Sequence, residues 1–249
     1  ENDQTLASSP SSVFLLVLRS HRLLFLAEHQ GAPTIETFKS TLGMFLKAKH
    51  KAFIEAKRKE IDPVTQRKSS VKELYERFPY PTLKLVPIGS DASMQKFVSK
   101  FDKVQNITVR LVETNSEFDN DAFMKGLRAS KEALKSRSTV LRHTNNEEGL
   151  SKTAVLKQLS AVTKQGNHDI TVSGKDLSGE KLSGTNEHFK VQVPISNISQ
   201  STKDIGRAMY DSFRGLLKSK IIAVPEPQAE SLNKLRQIST QNAQRPKAD

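Results

Sequence analysis

Leu83-Lys84-Leu85-Val86-Pro87-Ile88 reads as a short apolar strand and Gly89-Ser90-Asp91 as a polar break. Residues 92–101 then read as a helix, and residues 106–112 as a second strand on which Ile107, Val109 and Leu111 alternate. The run predicts a β-α-β unit. Downstream, Asp119-Asn120-Asp121 is a cap for a helix through Ser136, and a further helix is expected over 150–164, stopped by Gly166. A hairpin closes the segment, with arms at 169–174 and 188–193 joined through the turn-rich residues 175–181. The expected class is α+β, with a βαβ-based, ferredoxin-like domain over 82–222 that ends in an amphipathic helix at 201–220. Ile205, Met209, Phe213, Leu216 and Leu217 mark the apolar face of that helix.

Upstream, the apolar runs Val13-Phe14-Leu15-Leu16-Val17-Leu18 and Leu23-Leu24-Phe25-Leu26 flank the polar break Ser20-His21, which predicts a β-hairpin. Gly31-Ala32-Pro33 breaks the chain and Thr34 caps a helix carrying Ile35, Phe38, Leu42, Phe45 and Leu46 at helical spacing. This hairpin and helix form a small N-terminal module over 1–62. Residues 63–81 read as a connector with one short helix near 71–78, and 223–249 as a polar, largely disordered tail.

The 249 residues carry 39 Lys+Arg against 27 Asp+Glu, a formal charge of +12, and a pI near 9.8. Such a balance makes a polyanion the first partner to consider. Cysteine is absent, which removes disulfides, thiolate zinc sites and a cysteine nucleophile, and fits a reducing, cytoplasmic setting. The apolar run at 13–18 meets Arg19, His21 and Arg22 far short of the roughly 20 residues that cross a bilayer. The first residue is Glu1 and no signal-type n-region precedes that run, so further sequence upstream is expected.

No catalytic motif emerges, and neither cofactor nor metal is expected. The stretch Gly174-Lys175-Asp176-Leu177-Ser178-Gly179-Glu180-Lys181 lacks the Lys-Ser/Thr of a phosphate loop and joins two strands. The six histidines show no paired metal-ligand spacing. Glu113, Glu117, Asp119 and Asp121 could ligate Mg²⁺ in a nuclease, but they surround a helix start, where backbone donors favour acids.

Two basic segments stand out. Lys125, Arg128, Lys131 and Lys135 recur at helical intervals, with Arg137, Arg142 and His143 beyond them in what reads as a polar loop. Lys47, Lys49, Lys51, Lys57, Arg58 and Lys59 crowd the second half of the first helix. Without Trp, with only 3 Tyr, and with no aromatics interleaved among these cations, base stacking is disfavoured. The expected partner is duplex DNA, held by its phosphates without reading of sequence. A Mg²⁺-dependent nuclease, or a module that binds a protein or an anionic membrane, are the competing classes.

The order of elements resembles the Rex phage-exclusion protein A family. Three passages carry the likeness: the hairpin, Gly31-Ala32-Pro33-Thr34 turn and helix over 13–46; the strand-helix-strand over 83–112; and the Lys175-Asp176 hairpin with its Gly179, followed by a long amphipathic helix. The resemblance spans about 210 residues. It implies a cytoplasmic, bacterial or phage-encoded homodimer that binds DNA without sequence preference in abortive infection and signals to a membrane-protein partner. That family's β-rich N-terminal region is short or absent here, and the tail after Ile222 has no counterpart in it.

Overall fold

The computed structural model describes residues 10–64, 66–112, 121–164, 166–195, 201–224, 232, 233, 235–237, 239 and 240. The fold is α+β. Packing divides the chain into two units, Glu1–Val13 with Phe25–Leu85 and Phe14–Leu24 with Val86–Asp249. A two-stranded hairpin, β1 (Ser12–Val17) and β2 (Arg22–Ala27), reverses at His21, whose φ is 49°.

In the first unit Thr34 caps α1 (Ile35–Lys59) by accepting from the Thr37 N–H at 3.2 Å. The 25-residue helix runs through to its basic end without interruption, as its sequence predicts. Asp62-Pro63 then turns the chain, and an antiparallel bridge between Ile61 and Lys68 closes the turn. Ser70 starts α2 (Val71–Arg77) with a reciprocal cap: its hydroxyl accepts from the Glu73 N–H, and the Glu73 carboxylate accepts from the Ser70 N–H. The two helices bury Ile54 and Leu74, and Phe53 meets Phe78 edge-on at 5.2 Å.

The second unit is built on a four-stranded sheet of order β4-β3-β5-β6, formed by β3 (Phe101–Leu111), β4 (Val140–Thr144), β5 (His168–Asp176) and β6 (Lys181–Thr185). Its helices are α3 (Asp91–Val98), α4 (Ala122–Ala133), α5 (Lys152–Thr163) and α6 (Thr202–Lys218). Alternate residues Ile107, Val109 and Leu111 of β3 and Ile170 and Val172 of β5 point to one face. Met94, Phe97 and Val98 of α3 and Val155, Leu159 and Val162 of α5 join them in one buried cluster. Phe97 rests on β6 so closely that a Cβ at Gly184 would lie 2.1 Å from its ring. Where β6 ends, Asn186 continues the ladder with its side chain, accepting from Ile170 N–H at 2.8 Å and donating to His168 C=O at 3.1 Å.

Several expectations are corrected. Residues 83–88 form no strand: Pro81 and Pro87 cannot donate to a ladder, and the segment is tied instead by a single bridge between Gly89 and Lys190 and by Val191 N–H to Ile88 C=O. No βαβ unit arises there. Every pairing in the sheet is antiparallel. The hairpin after β5 is tighter than expected, because Asp176 accepts from the Ser178 and Glu180 N–H groups and Gly179 takes φ 84°. Its second arm is therefore 181–185, and residues 188–193 lie outside it.

The supposed loop around Arg142 is β4, an edge strand. α4 ends at Ala133 rather than Ser136, since Lys135 turns left-handed (φ 51°) and the Ser136 N–H closes back on Lys131 C=O. The described residues among 232–240 are helical, and the rest of the tail beyond 224 lies outside the described residues.

Candidate nucleic-acid interface

Lys47, Lys51 and Arg58 are spaced at i, i+4 and i+11, so one exposed stripe of α1 carries all three over about 16 Å. None makes an ion pair within the described residues. Lys49 points to the other side of the helix. Lys57 is engaged locally, 2.7 Å from Glu60 and over the Phe53 ring. Lys59 and Arg58, with Glu55 and with Lys68 brought in by the Ile61 bridge, line a shallow basic depression.

The second predicted stripe divides. Lys125 is exposed, but Met124 anchors α4 in the core, and the same helical phase carries Arg128 and Lys131 into half-buried positions. Arg128 donates to the Val112 carbonyl at 3.0 Å, past the end of β3. Lys135 and Arg137 lie beyond the helix, both exposed. On β4, Arg142 and His143 face opposite ways. His143 lies over α5, with its Nε2 3.3 Å from Gln158 Nε2, whereas Arg142 is on the open side, donating to Asn106 Oδ1 at 3.1 Å. Asp121 caps α4 through the Met124 N–H, and Glu113, Glu117 and Asp119 lie outside the described residues. No cluster of three potential metal ligands occurs among the described residues.

The open face of the sheet holds the cations that sequence reading missed. Lys181, Lys175 and Lys103 are direct neighbours across β6, β5 and β3. Lys103 Nζ reaches the Glu147 carbonyl at 2.5 Å, and Lys175 and Lys181 form no ion pair within the described residues. The next row along the strands is Ser183, Ser173, Asn106 and Thr144, and the row after it is Thr185, Thr171, Thr108 and Arg142. Arg110, opposite Asp169, stands beyond them, while Asp102 sits beside the lysines where β3 bulges. No aromatic side chain interrupts these rows. Gly174 lets β3 bulge inward here, for a Cβ on it would lie 2.0 Å from the Lys103 carbonyl.

Period-2 alternation marks Thr171, Ser173 and Lys175 as sharing a face. It cannot say which residues of β3 and β6 stand beside them. No described helix is long and apolar enough to cross a membrane. No protein-family model, no curated protein and no solved structure matches this chain.

Proposed function

We propose that the chain binds duplex nucleic acid through its phosphates, without sequence preference. The carrying observation is the row Lys181–Lys175–Lys103 on an exposed sheet face. Like charges directly opposite one another on a sheet are destabilising, by a few tenths to about 1 kcal/mol per pair. A polyanion laid across the row converts that repulsion into attraction and releases its own counterions. The Lys47–Lys51–Arg58 stripe of α1 is a second surface of the same character.

Duplex DNA is the partner that the Rex resemblance implies. Action in phage exclusion as a homodimer with a membrane-protein partner rests on that resemblance alone, of which the 83–112 passage does not form strand-helix-strand. The test is anisotropy of a fluorescent duplex of about 30 base pairs across a salt series, with an unrelated duplex as competitor. Affinity should fall by about 0.9 log units per log unit of salt for each phosphate neutralised, equally for both sequences. No binding at low salt would remove this reading.

A further inference from the structure

We propose that the open face of the β4-β3-β5-β6 sheet is a docking surface for double-stranded RNA in preference to B-form DNA. The inference rests on the nucleic-acid reading above and concerns which duplex the sheet accepts. Three inter-strand spacings make the face about 14 Å across. That is too broad for the minor groove of B-DNA, about 6 Å wide, and a flat face cannot reach the floor of the major groove, about 8.5 Å deep.

An A-form duplex presents a wide, shallow minor groove lined with 2′-hydroxyls. The middle of the sheet face is shaped for such a surface. Its two central rows are short hydroxyl and amide side chains, among them Thr171, Thr108, Ser173 and Asn106, which project little. Each hydroxyl is both donor and acceptor, the same repertoire as the 2′-OH.

Charge completes the fit. Lys175 stands at one end of β5, and Arg110 stands opposite Asp169 at the other, about 20 Å away along the strand. Lysines thus border the polar floor at one end, and Arg110 and Arg142 with the single acid Asp169 border it at the other. Without an aromatic side chain on the face, a single strand finds no base-stacking platform there.

The test compares double-stranded RNA, double-stranded DNA of the same sequence, the single strands, and vesicles containing phosphatidylserine, all at one salt concentration. The proteins are the whole chain, Lys175→Gln/Lys181→Gln and Thr171→Val, with circular dichroism as the check on folding. The expected result is RNA bound at least tenfold tighter than DNA, a preference lost in the double lysine variant and narrowed in Thr171→Val. DNA bound as tightly as RNA, tighter binding of the single strands, or a preference unchanged in both variants would overturn the assignment while leaving duplex binding in place. Failure of every duplex to bind would overturn the underlying reading as well, and vesicle binding in that case would hand the lysine row to an anionic membrane.

Discussion

Lys175 on β5 lies directly across from Lys181 on β6, and no acid among the described residues pairs with either. A hairpin selected for stability alone would place opposite charges there. Lys181→Glu is expected to stabilise the fold by about 0.2–1 kcal/mol through the new cross-strand pair. The same change should weaken duplex binding, since it puts an acid in the phosphate row. Urea denaturation and anisotropy on one preparation check both, and a variant that is more stable yet binds as before would remove the row from the interface.

The α1 stripe makes its own prediction. Replacing Lys47, Lys51 and Arg58 by Glu should weaken binding by the same factor for unrelated duplexes. The slope of log affinity against log salt should flatten by about 0.9 for each phosphate that the variant no longer neutralises. Stability should fall by no more than about 1 kcal/mol, because all three side chains are exposed and only Arg58 lies in the last turn of the helix, where an acid opposes its dipole. A sequence-dependent loss would show that the helix reads bases.

Gly184 is fixed by packing, not by backbone conformation. An alanine Cβ there would lie 2.1 Å from the buried Phe97 ring. Gly184→Ala should cost on the order of 1–3 kcal/mol by overpacking. Adding Phe97→Leu should return part of that loss, and thermal melts of the two single variants and the double variant measure the coupling.

Asn186 substitutes for a missing strand residue. Truncating it to Ala leaves the Ile170 N–H and the His168 C=O without its hydrogen bonds at a buried site, a loss of about 1–3 kcal/mol. Hydrogen exchange at the Ile170 amide should accelerate ahead of its neighbours on β5.

Acid should loosen the α1–α2 unit. The Arg67 guanidinium hydrogen-bonded to Glu73, together with the backbone and hydroxyl of Ser70, holds the Glu73 carboxyl down at about 2 against an ordinary 4.5. A carboxyl with a lowered folded pKa stabilises the chain fully above pH about 4.5, and that contribution is lost as pH falls through about 2. Glu73→Gln should remove this dependence. An acid titration followed by near-ultraviolet circular dichroism, to which Tyr75 and Tyr80 contribute, makes the comparison.

What the sequence alone determined is local. Thr34, Ser70 and Asp121 cap helices because a short side-chain oxygen reaches the backbone donors two or three residues on, and that reach depends on nothing distant. The continuous α1 and the apolar periodicity of β3 follow in the same way from spacing along the chain.

Tertiary structure decided everything that depends on neighbours. It left residues 83–88 out of the sheet despite their apolar run, because Pro87 cannot donate to a ladder and the segment is held instead by Asn186 on the Pro87 carbonyl, by Val191 N–H on the Ile88 carbonyl and by the neighbouring Gly89–Lys190 bridge. It split the α4 stripe, because burying Met124 fixed the phase at which Arg128 and Lys131 meet the core. Above all it set Lys103, Lys175 and Lys181 side by side. These residues are six or more positions apart in sequence, and only the register of three antiparallel strands, pinned by a bulge and by the Asp176–Glu180 turn, brings their charges into one row.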